Sequence, residues 1–316
     1  NSCDRVPIHI LGKVQSFGCL LMVSSDWLIT HASQNCGEFL EKEAETLIGT
    51  RFSELFNELP THKLRGATQA LNAPDQGVRL FAFDLFEDGR MFDISVHQCV
   101  QGFCFEFERK EGNSDSLGDL ALVRSLIERV KKHSDLDAMM AEAVRALRGL
   151  TGFDRVLIYK FLPDETGETV AESCSVDMCR YMGLRFPASD IPKQARELYR
   201  RNFIRLIADV DAKPSAIIPD RSPEGEPPDL SMAVTRSVSP VHLEYLRNMD
   251  VAGSMSVSII RRGELWGLFA LHHRTPLYLD FEQRSAVELF VQLFNYELSE
   301  RLADQEFTDA SEAQAL

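Results

Sequence analysis

Prolines restrict the stretch at positions 181–192, which reads Tyr-Met-Gly-Leu-Arg-Phe-Pro-Ala-Ser-Asp-Ile-Pro. Pro187 and Pro192 each fix φ and remove a backbone donor, so the stretch cannot be a central strand or the interior of a helix. Positions 192–201 then have the pattern of a helix, with the proline near its first turn, where a missing N–H costs little. The sequence therefore predicts a stiff loop that leads into a helix and presents Asp190 at its end.

Two functions are open for Asp190. Aspartate is a favoured N-cap residue, so the side chain could accept hydrogen bonds from the first turn of the following helix. Three aromatic residues stand nearby in the sequence, Tyr181, Phe186 and Tyr199. The alternative is therefore a carboxylate in the wall of a ligand pocket, and the local sequence does not decide between the two.

Composition narrows the class of protein. A chain of 316 residues, 44% hydrophobic and 26% charged, is long enough for two domains with a core each. The net charge of −14 argues against nucleic acid and against an anionic membrane surface as partners. No apolar run approaches about 20 residues, and no signal-peptide pattern opens the sequence. We therefore expect a cytoplasmic protein.

The seven cysteines lack C-x-x-C spacing, which argues against a disulfide framework and a structural zinc site. Cys3 differs from the others because it lies in a polar segment with Arg5 close by. A neighbouring cation can lower the pKa of a thiol and make it a better nucleophile. From the residues alone, Cys3 is either such a nucleophile or an incidental terminal thiol.

The first half of the sequence predicts an extended arm at 1–18 and an antiparallel sheet with short helices at 19–109. A short helix is expected within 35–47, and the polar segment 110–119 is expected to be a linker. The five predicted strands are Cys19–Ser24, Trp27–Ala32, Leu80–Phe86, Met91–His97 and Gly102–Glu108.

The second half, 120–303, predicts an antiparallel sheet flanked by helices, which makes the fold class α+β. Apolar residues at helical spacing indicate helices within 120–150 and at Phe281–Leu302, and 304–316 is predicted to be the tail of a helix. The segment 210–230 contains five prolines and predicts a long extended loop, often a functional feature. The predicted strands are Arg155–Phe161, Thr169–Glu172, Ile204–Asp209, Gly253–Arg261 and Leu265–His272.

Hydroxyl and imidazole side chains mark the last two strands. Ser254, Ser256 and Ser258 alternate with apolar residues, so one face of the strand is a row of hydroxyls that faces either solvent or a polar ligand. His272 and His273 are adjacent, and adjacent strand residues point to opposite faces. The pair is therefore a poor chelate, and we predict no metal site.

Four separated segments resemble motifs of the phytochrome family. They are Pro187–Pro192, Arg236–Leu246, Trp266–His273 and Cys3–Gly12. Together they are similar to a bacteriophytochrome PAS–GAF module and cover nearly the whole chain. The resemblance implies a PAS domain at 19–109 and a GAF domain at 120–303. It also implies that the arm is knotted through a GAF loop at about 209–239, with Val14 as an apolar plug.

The resemblance implies a red/far-red light sensor that binds biliverdin IXα covalently and photoisomerises it, with near-infrared fluorescence as a related property. Plant and cyanobacterial phytochromes carry a cysteine directly after the histidine of Ser-Pro-x-His, and in this sequence the position is Leu243. Cys3 is therefore the implied thioether site. Attachment is autocatalytic, so no turnover enzyme is expected. The family's PHY domain and an output domain, a histidine kinase or a diguanylate cyclase, are not expected within these residues.

The resemblance also implies roles for individual residues. Arginine forks suit propionates, although ordinary salt bridges use arginine as well. In the family, the position of His242 lies against the pyrrole nitrogens and that of His272 against the terminal-ring carbonyl. The predicted cofactor-binding residues are Cys3, Tyr159, Tyr181, Phe186, Asp190, Ile191, Tyr199, Arg205, Arg236, Ser239, His242, Tyr245, Ser254, Ser256 and His272.

Two other classes of function stay open at this level. A PAS–GAF sensor of a cyclic nucleotide or haem would share the fold without photochemistry. An enzyme is less favoured, because the sequence contains no phosphate loop, nucleophile elbow or paired-carboxylate motif. The helices at 120–150 and 281–302 predict a homodimer through a helix bundle.

Overall fold

The computed structural model describes residues 7–73, 75–100, 102–112 and 116–314. Cys3 and its neighbours therefore lie outside the described residues. The chain divides into two compact units. We call residues up to 112 together with 207–250 the N-terminal unit, and residues 116–206 together with 251–314 the C-terminal unit. The segment 207–250, predicted as part of the second domain, is thus grouped with the first.

Strands and helices make up most of the described chain. The strands are β1 Lys13–Val14, β2 Cys19–Ser24, β3 Ile29–Ser33, β4 Gly77–Asp84, β5 Met91–Cys99, β6 Gly102–Arg109, β7 Arg155–Phe161, β8 Gly167–Cys174, β9 Arg185–Phe186, β10 Ile204–Ile207, β11 Ser215–Ile218, β12 Gly253–Arg261 and β13 Glu264–His273. The helices are α1 Cys36–Leu40, α2 Ala44–Leu47, α3 Glu58–Thr68, α4 Ser116–Lys131, α5 Leu136–Thr151, α6 Lys193–Arg201, α7 Pro240–Asn248 and α8 Phe281–Gln314.

The sheet of the N-terminal unit has the strand order β1-β11-β3-β2-β6-β5-β4 and is antiparallel throughout. Its five strands from β2 to β6 are the five predicted ones, with small changes at their ends. The arm and the proline-rich loop add one strand each. Strand β11 was predicted as loop because its four residues lie between Pro214 and Pro219, which makes the local strand signal too short to detect.

Aromatic packing fills the core beneath this sheet. The rings of Phe52 and Phe105 stack with centroids 4.7 Å apart, and Trp27 stacks on Phe103 at 5.6 Å. Helix α3 covers the same core through Leu64, which is fully buried. The sequence did not predict α3, because Pro60 obscures its helical pattern. Since Pro60 lies in the first turn, its missing N–H removes no intrahelical bond.

The N-terminal arm is hydrogen-bonded to both sides of the loop 207–250. On one side Ile217 N donates to Gly12 O at 2.8 Å, and on the other Ser237 N donates to Lys13 O at 2.9 Å. Val14, which follows these contacts, is fully buried. The arm therefore lies between the two sides of the loop, which is the arrangement that the predicted knot requires.

The sheet of the C-terminal unit has the order β10-β12-β13-β7-β8-β9. Helices α5 and α8 pack against it, with Phe294 of α8 edge-on to Phe269 of β13 at 5.0 Å. Strands β7 and β12 have the predicted bounds. Helix α8 runs from Phe281 to Gln314, so it includes the predicted apolar helix and most of the predicted helical tail. Among the described residues, no helix combines the length and the apolar character needed to cross a bilayer.

Candidate functional site

The predicted site residues fall in both units. The N-terminal unit holds Arg236, Ser239, His242 and Tyr245. The C-terminal unit holds Tyr159, Tyr181, Phe186, Asp190, Ile191, Tyr199, Arg205, Ser254, Ser256 and His272. Cys3 lies outside the described residues.

Three predicted aromatic residues meet at the β8–β9 edge of the C-terminal sheet. The Phe186 ring lies 5.8 Å from that of Tyr159 and 6.0 Å from that of Tyr181. Phe186 reaches this place because the two-residue strand β9 pairs with Gly167 of β8. A short edge strand is compatible with the following proline, since an edge position leaves one side of the backbone unpaired. The structure thus brings these three aromatic side chains together.

Tyr159 contributes a buried hydroxyl to this aromatic group. Its Oη has no hydrogen-bond partner within the described part of the chain, and neither has Oγ1 of Thr169, on the neighbouring strand. Burial, and secondarily the negative charge of Asp190, raise the pKa of Tyr159 to about 12. The phenol is therefore neutral at physiological pH. Buried polar groups usually have partners, so an unsatisfied hydroxyl of this kind needs an explanation.

The Tyr159 ring occupies the space beside Gly167. A Cβ added at Gly167 would lie 1.8 Å from Tyr159 Cζ, which no packed side chain tolerates. Gly167 is therefore required for the position of the ring.

We expect Gly167→Ala to displace Tyr159 and to lower the free energy of unfolding by about 1–3 kcal/mol, the usual cost of overpacking. Thermal and denaturant unfolding followed by circular dichroism measure this. Gly77→Ala is the matched strand control, since its new Cβ would meet only Val96 O at 3.6 Å, an ordinary contact. Equal stability of the two variants would contradict the required close approach.

Asp190 is not the cap of the helix that follows it. Helix α6 begins at Lys193, and Pro192 occupies the N-cap position without a side-chain capping bond. The backbone N–H of Asp190 instead donates to Pro187 O at 3.1 Å, which closes a turn within the loop. The capping hypothesis is therefore wrong for α6.

Arg196 holds this loop in place, a role that the sequence did not indicate. Its Nε donates to Ile191 O at 2.9 Å, and its Nη2 donates to Glu165 O at 2.6 Å and lies 3.4 Å from Ala188 O. The guanidinium also stacks 4.7 Å from the centre of the Phe161 ring. One arginine thus joins the loop that carries Asp190 to the β7–β8 turn.

The hydroxyl row on β12 does not face solvent. Ser254 and Ser258 are buried, and Ser256 is half-buried. Ser258 Oγ donates to Tyr199 O at 2.7 Å and so connects the strand to the end of α6. The solvent-facing interpretation is therefore wrong for Ser254 and Ser258. Arg205, on the neighbouring strand β10, is half-buried.

The adjacent histidines point to opposite faces of β13, as predicted. His273 Nδ1 lies 3.1 Å from Asp154 Oδ2. His272 is 8% exposed, and its Nδ1 lies 3.4 Å from Nη1 of the buried Arg155. Arg155 was not predicted as a site residue, because an arginine at the start of a strand carries no local signal of such a contact.

In the N-terminal unit, Arg236 follows a segment that is anchored by a buried carboxylate. Glu106 accepts from Thr235 N at 2.7 Å and from Thr235 Oγ1 at 2.6 Å. Gln15 Nε2 donates to Arg236 O at 3.1 Å. The sequence did not indicate Glu106 either, since it is 129 positions from Thr235. These bonds fix the backbone at Arg236, which is 6% exposed.

Helix α7 carries the remaining candidates. Ser239 Oγ accepts from His242 N at 3.3 Å, so Ser239 is the N-cap, and Pro240 opens the helix. Ser followed by Pro is a recognised helix start, so this signal was present in the sequence. One turn of helix brings the rings of His242 and Tyr245 together, with centroids 6.1 Å apart and planes 12° apart.

Comparison with known proteins agrees with this architecture. A PAS-fold model matches residues 3–110 and a GAF-domain model matches residues 135–298. A bacteriophytochrome of Pseudomonas aeruginosa is 37% identical over 294 residues, which is 92% of this chain and 40% of the relative. Cyanobacterial phytochrome B of a Nostoc species is 34% identical over 98% of this chain and 42% of its own length. The chain belongs to the phytochrome family.

Solved structures support the same assignment for this phytochrome module. The chromophore-binding domain of a Stigmatella aurantiaca bacteriophytochrome, a Thr289His mutant in the Pr state, is 37% identical with a TM-score of 0.83. The match covers 96% of this chain and 99% of that one. The chromophore-binding domain of an unusual bacteriophytochrome from R. palustris is 33% identical with a TM-score of 0.86, over 96% and 100% of the two chains. The module spans about 40% of the length of the curated relatives it matches.

Proposed function

We propose that this phytochrome module is the light-sensing core of a photoreceptor and that its ligand is biliverdin IXα. The observation that carries the proposal is the aromatic group of Tyr159, Tyr181 and Phe186. The Tyr159 hydroxyl in this group is buried and has no hydrogen-bond partner among the described residues, and the charge of Asp190 contributes to its raised pKa. The match to solved chromophore-binding domains over nearly the whole chain supports it.

The residues present fit an open-chain tetrapyrrole. Its conjugated face needs aromatic packing, its carbonyl oxygens need donors, its pyrrole N–H groups need acceptors, and its propionates need cations. Tyr159 offers both a ring and a free donor, and Asp190 offers an acceptor. Arg205 and Arg236 are the proposed cations, because a guanidinium fork matches a carboxylate.

When bound, biliverdin supplies visible-light absorption and a double bond that isomerises. The chain's own residues would bind and orient it. The aromatic group would pack on a ring and exclude water, and Asp190 would favour the proton on the inner pyrrole nitrogens. Cys3 is the proposed thiol of the thioether. The other proposed contacts are Ile191, Tyr199, Ser239, His242, Tyr245, Ser254, Ser256 and His272.

Adding biliverdin to the purified module tests the proposal. We expect a new red absorption band, a bilin that stays attached through denaturing electrophoresis, and a spectral change on red illumination. Haem and cyclic nucleotides serve as the comparison ligands. Tight binding of either one, without a response to biliverdin, would contradict the photoreceptor proposal and would indicate a different PAS–GAF sensor.

We expect Arg205→Ala and Arg236→Ala each to slow biliverdin assembly or weaken binding at least tenfold. Loss of a charge-assisted hydrogen bond typically costs about 1.5–3 kcal/mol, which is a factor of about ten or more. Stopped-flow absorbance measures the assembly rate. Arg262→Ala is the control, because Arg262 is exposed and forms its ion pair with Glu306, and neither residue is a predicted site residue. Unchanged assembly kinetics in both single variants and in the double variant would show that Arg205 and Arg236 do not bind the propionates.

The remaining partner and location hypotheses are also proposals. We propose a homodimer through the helices of the C-terminal unit, because Leu120 and Leu122 of α4 and Tyr296 of α8 expose large apolar surfaces. We propose a cytoplasmic location, which the free thiols at the six described cysteines support. The module itself is proposed to catalyse only its own attachment to bilin, and the output of the whole protein, a histidine kinase or a diguanylate cyclase, is proposed from the resemblance.

A further inference from the structure

Arg155 is a buried cation at the beginning of β7, directly opposite His272 in the register of β13. It is 1% exposed, and each side of its guanidinium has a neighbour. Its Nη2 donates to Cys179 O at 3.0 Å, its Nε lies 3.6 Å from Glu172 Oε1, and its Cζ lies 3.9 Å from the centre of the Tyr181 ring. The remaining nitrogen, Nη1, lies 3.4 Å from His272 Nδ1.

This contact determines which nitrogen of His272 carries the proton. A guanidinium has only donors, so the nitrogen that faces it must accept. A protonated Nδ1 would place one N–H against another, and an imidazolium would place a second positive charge beside a buried one. We infer that Arg155 is a positioning residue that holds His272 in the neutral form with its proton on Nε2. His272 then presents a hydrogen-bond donor at Nε2.

Glu172 orients Arg155. The Glu172 carboxylate has only 3% of its side chain exposed. It also accepts from Tyr181 N at 2.9 Å and from Met182 N at 3.1 Å. Because one partner of a buried ion pair cannot be removed without leaving the other uncompensated, Arg155 and Glu172 hold each other in place. The same pair ties the start of the 181–192 loop to the sheet.

The tautomer decides which ligand atoms can form a hydrogen bond with His272. An Nε2–H group selects an oxygen acceptor, such as a lactam carbonyl or a carboxylate, and disfavours an N–H group of a pyrrole. This part rests on the proposed function, since a bilin carries both kinds of group and must be oriented to offer the oxygen. Arg155 therefore contributes to the orientation of the ligand through His272 rather than by touching it.

Nitrogen-15 NMR of the histidine-labelled module, without any bilin, tests the inference directly. The His272 signals are assigned by comparison with His272→Gln. We expect a protonated Nε2 and an unprotonated Nδ1 near neutral pH. In Arg155→Met, which keeps side-chain bulk and removes the donors, we expect a mixture of both tautomers. Arg155→Lys, which restores a cationic donor, should return the population toward the Nε2–H form.

Arg284→Met is the matched control, because Arg284 is also a buried arginine of the C-terminal unit, packed on Phe281 and Tyr278. It should leave the His272 tautomer unchanged. A protonated Nδ1 in the parent chain would overturn the inference, and so would a pure Nε2–H form in a folded Arg155→Met variant. If Arg155→Met does not fold, the parent spectrum still decides, because a protonated Nδ1 there overturns the inference.

Biliverdin assembly separates this inference from the proposed function. We expect Arg155→Met to slow assembly at least tenfold and Arg155→Lys to recover part of the rate. If the parent binds no biliverdin while the tautomer still follows residue 155, the proposed ligand is wrong and the positioning role stands. If the parent binds biliverdin and the His272 tautomer does not change with the residue at position 155, the positioning role is wrong and the proposed ligand stands.

Discussion

Cys3→Ala should eliminate the bilin adduct that survives denaturing electrophoresis, while reversible biliverdin binding persists. The thiolate is the nucleophile in thioether formation, and Arg5 is close in sequence to favour it. Leu243 stands where other phytochromes carry their cysteine and has no thiol. Bilin absorbance of the denatured gel band measures the covalent fraction, and absorbance of the native protein measures reversible binding.

Burial distinguishes the other described thiols as candidate attachment sites. Cys19 is fully buried, and desolvation raises its pKa well above the ordinary value. Burial raises the pKa of Cys104 in the same way. Cys179 is exposed, so it is the better alternative and the matched control. Cys179→Ala should keep the adduct, and an adduct that is lost there but retained in Cys3→Ala would move the attachment site.

Asp190→Asn should leave attachment intact, suppress most of the far-red-absorbing photoproduct and raise the fluorescence yield. The substitution preserves size and removes the charge that would stabilise a proton on the inner pyrrole nitrogens. Fewer excited bilin molecules then complete the photocycle. More of them return to the starting state by emitting light, so the fluorescence yield increases. Difference spectra after red illumination and the emission quantum yield are the measurements.

The structure sharpens this test, because Pro192 rather than Asp190 occupies the cap position of α6. Thermal stability should therefore change little in Asp190→Asn, and any spectral change reports on the carboxylate itself. Asp164→Asn is the control, an exposed acid in the β7–β8 turn whose carboxylate bonds locally to Thr166. Photoconversion and emission equal to those of the parent in both variants would remove Asp190 from the mechanism.

Much of the fold could be predicted from the sequence, because the relevant forces act between near neighbours. Alternation of apolar and polar residues marked β12 at Gly253–Arg261, and the structure has the same bounds. Prolines and an adjacent aromatic cluster marked the 181–192 loop, and Phe186 does contact Tyr159 and Tyr181. Turn chemistry, side-chain periodicity and proline geometry are all expressed within a few residues, so a single sequence carries them.

Contacts between distant parts of the chain were decided only by the tertiary structure. Arg155 meets His272 across 117 positions, and Arg196 reaches Glu165 O across 31. The burial of Ser254 and Ser258 could not be separated from exposure by alternation alone. A hydrogen bond between residues far apart depends on how strands are ordered and on which side chains that order brings face to face. No local pattern encodes that order, so the residues that orient the candidate site became visible only in the folded chain.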